Sequence, residues 1–265
     1  MKLSHELKTA IAAAKAAGQI QMKYFGTPLR KKFKESQDLV THVDFEAETK
    51  ILSMLKKEFP EYGVLSEEKG RLESDSDYQW IIDPLDGTFY YSHNYPAFGV
   101  LIALKKKNSI EMGVSFQPSQ NILMFAQKNK GAYLNGKKMR VSKQKTENGA
   151  LLGYSDARFS LDAAPKPFNQ LLQNFFWRTG IPAFPAFSYL SQGILDAYLY
   201  NYIHYKKNTV MHPWDIAAHK IIVEEAGGKF SNYRGETDLD KIQSVVAANP
   251  YLHKKIIKLF RGETK

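Results

Sequence analysis

The sequence predicts a mixed α+β protein, and three observations carry that reading. Two stretches near the N-terminus repeat apolar residues at helical spacing. A block of strand-length apolar segments follows, separated by short turns. Beyond these, short strands and helices mix, so the expected halves are residues 1–145 and 146–265.

His5–Phe25 sets Leu7, Ile11, Ala14 and Ile20 among good helix formers, and Gly26-Thr27-Pro28 closes it. Leu29–Lys34 is a basic, extended connector. Asp44–Phe59 is a second helix, with Ala47, Ile51, Leu52, Leu55 and Phe59 on one face; Thr41 and Asp44 stand at capping positions and Pro60 ends it. Tyr62–Ser66 leads into Glu67-Glu68. Trp80–Thr88 (WIIDPLDGT) reads as a short buried strand that delivers Asp83 and Asp86 to a turn at Pro84, with Gly87 admitting a ligand close to the backbone. Phe98–Leu104, Ile110–Phe116 and Ile122–Gln127 read as antiparallel strands joined at Lys106–Ser109 and Gln117–Asn121. Gly131–Tyr133 and Asn135-Gly136 add a hairpin. In the second half, Phe168–Phe176, Phe187–Leu195 and Pro213–Ala226 read as helices, the last stopped by Gly227-Gly228. Ala197–Tyr202 and Val245–Ala248 read as strands, and a basic helix starts at Pro250.

Cysteine is absent, which excludes disulfides, thiolate zinc sites and cysteine nucleophiles. Met1–Lys15 intersperses lysines with alanines and lacks the continuous apolar core of a signal peptide. No run nears the roughly 20 apolar residues that span a bilayer. The expectation is a cytoplasmic enzyme without membrane contact. The net charge of +10 is spread along the chain, with small clusters at Arg30–Lys34, Lys105–Lys107 and Lys206–Lys207. Scattered basic charge favours small anions over a nucleic-acid partner, though it does not exclude one.

Six acids could converge: Asp44, Glu67, Glu68, Asp83, Asp86 and Asp215. All are oxygen donors, and no histidine joins them at metal-ligand spacing, so the set suits Mg²⁺ or Mn²⁺ rather than zinc or copper. Buried carboxylates repel one another unless a cation or protons neutralise them. Each acid also has an ordinary reading. Asp44 caps a helix, Asp215 lies in the first turn of another, and Glu67-Glu68 are solvated acids in a loop. Only Asp83-Pro84-Leu85-Asp86-Gly87-Thr88 is specific by itself.

Taken together, these motifs resemble the inositol monophosphatase-like family of metal-dependent, lithium-sensitive phosphatases. The resemblance runs through Asp38–Asp44 with Glu48, Ser66-Glu67-Glu68, Trp80–Thr88, Gly131–Gly136 with Val141-Ser142, and Trp214–Ala218 continuing to Glu225–Gly228. It implies a layered αβαβα sandwich of the sugar-phosphatase type. The first half would carry the antiparallel sheet and most metal ligands, the second would supply Asp215, and the chain would form a homodimer. Glu67, Asp83 and the Leu85 carbonyl would hold one Mg²⁺; Asp83, Asp86 and Asp215 would hold a second; a third, looser ion would lean on Glu67. Mn²⁺ would substitute and Li⁺ would inhibit. Asp44 and Thr88 would be the catalytic pair that takes a proton from the attacking water. Asp86, Gly87, Thr88 and Asp215 would meet the substrate, the Gly87 and Thr88 amides taking phosphate oxygens. The implied reaction is hydrolysis of an inositol phosphate, sugar phosphate or 3′-phosphonucleotide by in-line attack of water.

Three segments depart from the family pattern. Phe89-Tyr90-Tyr91 follows the Gly-Thr, Ile181-Pro182-Ala183 replaces a small polar segment, and Tyr200 stands where inositol-type members place a substrate-binding glutamate. The stretch Tyr198–Trp214 is long and carries His204, Lys206, Lys207 and His212. These departures leave the alcohol half of the substrate open. The motif also resembles the Asp-x-Asp-Gly-Thr of haloacid-dehalogenase-like phosphatases, but the spacing differs by one residue and Trp214-Asp215 would go unexplained. The alternative from another class is a basic RNA- or protein-binding regulatory protein on the same fold, with weak or no catalysis.

Overall fold

The computed structural model describes residues 3–34, 39–155, 166–201 and 211–263. The chain forms two compact units: Met1–Lys138 with Pro213–Ile222, and Met139–His212 with Val223–Lys265.

In the first unit α1 (His5–Tyr24) starts at Ser4, whose side chain accepts the Leu7 amide at 3.2 Å. β1 (Lys31–Phe33) pairs antiparallel with β2 (Leu39–Thr41), which runs straight into α2 (His42–Glu58). This helix begins two residues before the sequence reading because Thr41 and Asp44 close a reciprocal capping box around its first turn. Then come β3 (Gly63–Ser66), β4 (Gly70–Leu72), β5 (Tyr78–Asp86), α3 (Thr88–Ser92), β6 (Gly99–Lys106), β7 (Ser109–Gln117), β8 (Ile122–Gln127), β9 (Gly131–Leu134) and β10 (Lys137–Lys138). They build an eight-stranded sheet ordered β10-β9-β8-β7-β6-β5-β3-β4, antiparallel except where β3 meets β5. Its core joins Leu7 and Ala14 of α1, Ile51 and Leu55 of α2, and Trp80, Ile82, Ile102 and Val114 of the sheet. Strand alternation explains the pattern, since these even-numbered sheet residues share one face.

The predicted turn at Pro84 is corrected. β5 continues to Asp86, and its pairing with β6 shifts register between Asp83↔Leu101 and Asp86↔Gly99. Proline tolerates extended backbone but cannot donate to the ladder, so it sits where pairing is interrupted. The chain then turns at Gly87, whose φ of 82° is left-handed. A Cβ there would stand 2.5 Å from the Ala97 carbonyl oxygen, so both conformation and space call for glycine. Phe89–Tyr91, read as a departure without assigned structure, lie in α3.

The second unit holds β11 (Leu151–Tyr154), α4 (Lys166–Asn174), β12 (Trp177–Gly180), α5 (Ala183–Ser191), β13 (Ala197–Asn201), β14 (Lys229–Ser231) and β15 (Ser244–Ala248), then α7 (Pro250–Phe260). Between β13 and β14 runs α6 (Pro213–Glu225), whose first ten residues belong to the first unit. The five strands are ordered β12-β11-β13-β15-β14, with β11 parallel to both neighbours and the other pairs antiparallel. Leu152, Phe168, Leu199, Val246 and Leu252 are in its core. The expected helix at Phe187–Leu195 lies four residues earlier. Pro182 fills the N-cap position, and the chain reverses at Gly193 with φ 76°. Among the described residues no helix is long and apolar enough to cross a membrane.

Candidate active site

Parallel pairing of β3 with β5 puts two acids side by side. The register sets Ser66 opposite Ile82, and the Glu67 amide donates to the Ile82 carbonyl at 3.2 Å, so Glu67 comes level with Asp83. Asp83 is buried, accepts the Leu85 amide at 3.0 Å and lies within hydrogen-bond reach of Glu67. Burial, then the charges of Glu67, Asp86 and Asp215, hold its carboxyl well above the ordinary range. Burial and Glu67 likewise push Asp86 up to about 7. Beneath the Glu67 loop, fully buried Glu48 accepts the Ser66 hydroxyl and the Lys69 amide, the latter at 3.0 Å.

Asp215 reaches this group although 129 residues separate it from Asp86 in sequence. Its helix lies directly on β7 at Gly113, where a Cβ would stand 2.8 Å from the Ala218 carbonyl oxygen and 2.7 Å from Ile221. One turn after Asp215, buried His219 meets the Ser115 hydroxyl through Nε2 at 3.2 Å and hydrogen-bonds the Asp215 backbone. Burial pushes its imidazole down to about 3, so the tie is made by a neutral ring.

Asp44 bonds both Thr41 and Thr88. Its Oδ2 accepts the Thr41 amide at 2.8 Å and the Thr41 hydroxyl at 2.7 Å, which caps α2. Its Oδ1 is 3.0 Å from the Thr88 hydroxyl, which also lies 2.9 Å from the Leu85 carbonyl. One hydroxyl proton therefore has two acceptors. Burial raises the Asp44 carboxyl to about 6 against the opposing effect of the Thr41 hydrogen bonds.

Lys34 is a site residue that sequence reading missed as such. Its ammonium donates to Glu67 at 2.8 Å and to Glu68 at 2.7 Å. Burial disfavours its charge, but Glu67 and Glu68 more than compensate and hold its pKa above the ordinary lysine value. Glu68 is pushed up to about 7, by burial first and Glu67 next. It is nearly inaccessible, unlike the solvated acid of the ordinary loop reading. As the side chains stand, no group of three or more His, Cys, Asp or Glu among the described residues forms a metal cage. The donor chemistry nevertheless fits a hard divalent cation. Glu67, Asp83, Asp86 and Asp215 are all oxygen donors, and their mutual repulsion is what a cation would relieve.

Elsewhere the departures take definite places. Phe89 is exposed and packs on His93 at 4.4 Å between ring centroids, whereas Tyr91 is buried. The Ile181 carbonyl accepts the Tyr198 hydroxyl at 3.2 Å, and Tyr200 lies in β13. Asp38, His204, Lys206 and Lys207 lie outside the described residues.

The model of the inositol monophosphatase family matches residues 2–265. A relative named Nus factor SuhB from Escherichia coli K12 is 33% identical over 267 residues, covering 97% of this chain and 96% of its own. The extragenic suppressor protein suhB of Bartonella henselae superposes with a TM-score of 0.88 at 25% identity, covering 98% of this chain and all of that one. A Thermotoga maritima IMPase superposes with a TM-score of 0.84 at 26% identity, covering 98% of both chains.

Proposed function

The chain belongs to the inositol monophosphatase family, and from that premise we propose that it is a Mg²⁺-dependent hydrolase of small phosphomonoesters. One observation carries the reading: buried Asp83 feels Glu67, Asp86 and Asp215 together, while Thr88, just after the same strand end, is hydrogen-bonded to Asp44 of α2. Two to three Mg²⁺ on Glu67, Asp83, the Leu85 carbonyl, Asp86 and Asp215 would neutralise phosphate charge, activate water and stabilise the departing oxygen.

The chain's own groups do the rest. Thr88 donates its proton to Asp44, which leaves a hydroxyl lone pair for the attacking water's proton. Asp44, raised to about 6, is ionised at neutral pH yet basic enough to take that proton onward. The Gly87 and Thr88 amides open α3 and offer donors to phosphate oxygens. Glu48 fixes the loop that carries Glu67. In-line transfer to water needs no covalent phosphoenzyme.

The test is phosphate release from inositol phosphates, sugar phosphates and bisphosphates, and 3′-phosphonucleotides, with and without Mg²⁺. Mg²⁺-dependent release is the expected result, and the best substrate names the alcohol. A second reading is favoured by the relatives named Nus factor SuhB. It gives the chain a regulatory role, binding RNA or a protein partner on the same fold. No release from any substrate, with salt-dependent RNA binding, would favour it instead.

A further inference from the structure

The register break between β5 and β6 is filled by a side chain from another element. Gln21, on the last turns of α1, is fully buried. Its Nε2 donates to the Pro84 carbonyl at 2.8 Å and to the Gly99 carbonyl at 3.3 Å. Those carbonyls lie on opposite strands of the break, so one amide group stitches both sides. Both are acceptors only, which fixes the amide nitrogen toward them and leaves Oε1 buried without a hydrogen-bond partner. The Gln21 backbone carbonyl also accepts the Tyr91 hydroxyl of α3 at 2.6 Å. If packing were all that mattered, an apolar side chain of this size would serve without an orphaned oxygen. A glutamine is explained by what its nitrogen holds.

We propose that Gln21 is a positioning residue, holding the Asp83–Asp86 bulge in the shape that presents Asp83, the Leu85 carbonyl and Asp86 together. The inference rests on the metal-dependent reading of that turn. It reaches the chemistry through the backbone, since the Gln21 amide is bonded to the Pro84 and Gly99 carbonyls rather than to the carboxylate of Asp83 or Asp86.

Gln21→Met keeps the volume and removes the donors; Tyr91→Phe removes only the tie to α3. Two readouts follow: amide hydrogen exchange of residues 83–88 in the metal-free protein, and Mg²⁺ binding by calorimetry. Gln21→Met is expected to speed exchange in that turn and to weaken Mg²⁺ binding about tenfold, the low end for outer-shell residues. Tyr91→Phe is expected to lower the melting temperature while leaving Mg²⁺ affinity near wild type. Should Gln21→Met fail to fold, Gln21→Asn, too short to reach both carbonyls, takes its place with the same expectations. Unchanged exchange at 83–88 with unchanged Mg²⁺ affinity would overturn the proposal, even if the melting temperature fell. If the wild type takes up no Mg²⁺, the phosphatase reading fails, and the exchange result alone decides the role of Gln21.

Discussion

Replacing Asp44 by Asn separates what this carboxyl does for stability from what it does for chemistry. Asp44 is 1% exposed, and burial outweighs its hydrogen bonds to lift it from 3.8 to about 6. A folded-state value above the unfolded one means that the folded chain holds the proton longer. The group's contribution to stability is then full below about pH 4 and is lost as the pH rises through about 6. At about 1.4 kcal/mol per pH unit, the interval is worth about 3 kcal/mol, of which about 2 falls between pH 4 and 8. Asparagine does not titrate, its oxygen can still accept the Thr41 amide, and its Nδ2 can donate to the Thr88 hydroxyl. Urea unfolding of the metal-free proteins at steps from pH 4 to 8 should therefore show Asp44→Asn gaining about 2 kcal/mol on the wild type. Turnover should fall by about 10²–10⁴-fold, because the proton acceptor is gone. A stability difference that stays flat with pH would refute the reasoning.

Gly87→Ala combines a left-handed φ of 82° with a Cβ 2.5 Å from the Ala97 carbonyl oxygen, and should cost at least about 2 kcal/mol in denaturant unfolding. Lys34→Met takes the ammonium off Glu67 and Glu68, so Mg²⁺ should bind more tightly by calorimetry while the metal-free protein melts lower. Glu68 and Asp86, each raised to about 7, contribute stability at acid pH that is lost as pH rises through 7. Melting curves of the metal-free protein should accordingly fall from pH 5 to 8, and added Mg²⁺ should restore most at the alkaline end.

Local signals made much of this chain legible in advance. The apolar run before Asp83, the glycine after Asp86, the Asn135-Gly136 turn and the proline-led C-terminal helix each declare themselves within a few residues. The strand's course through Pro84 did not, because the break is settled by β6 and by Gln21, 63 residues away from Pro84 in sequence. His219 and Ser115 are 104 residues apart, and Lys34 and Glu67 are 33 apart. Only the spacing of His219 four residues after Asp215 hinted that both share a helix face. The α5 boundary was misplaced because Ile181–Phe187 is apolar throughout, so periodicity could not locate its start. Pro182 and Gly193 hold that information.

Phosphate release by the wild type and Asp86→Asn, followed across one Mg²⁺ titration with circular dichroism on both, tests the acidic strand end as a catalytic centre. Release from the wild type only with Mg²⁺, and its near loss in a folded Asp86→Asn, is the predicted result. An Asp86→Asn protein as active as the wild type would contradict the assignment.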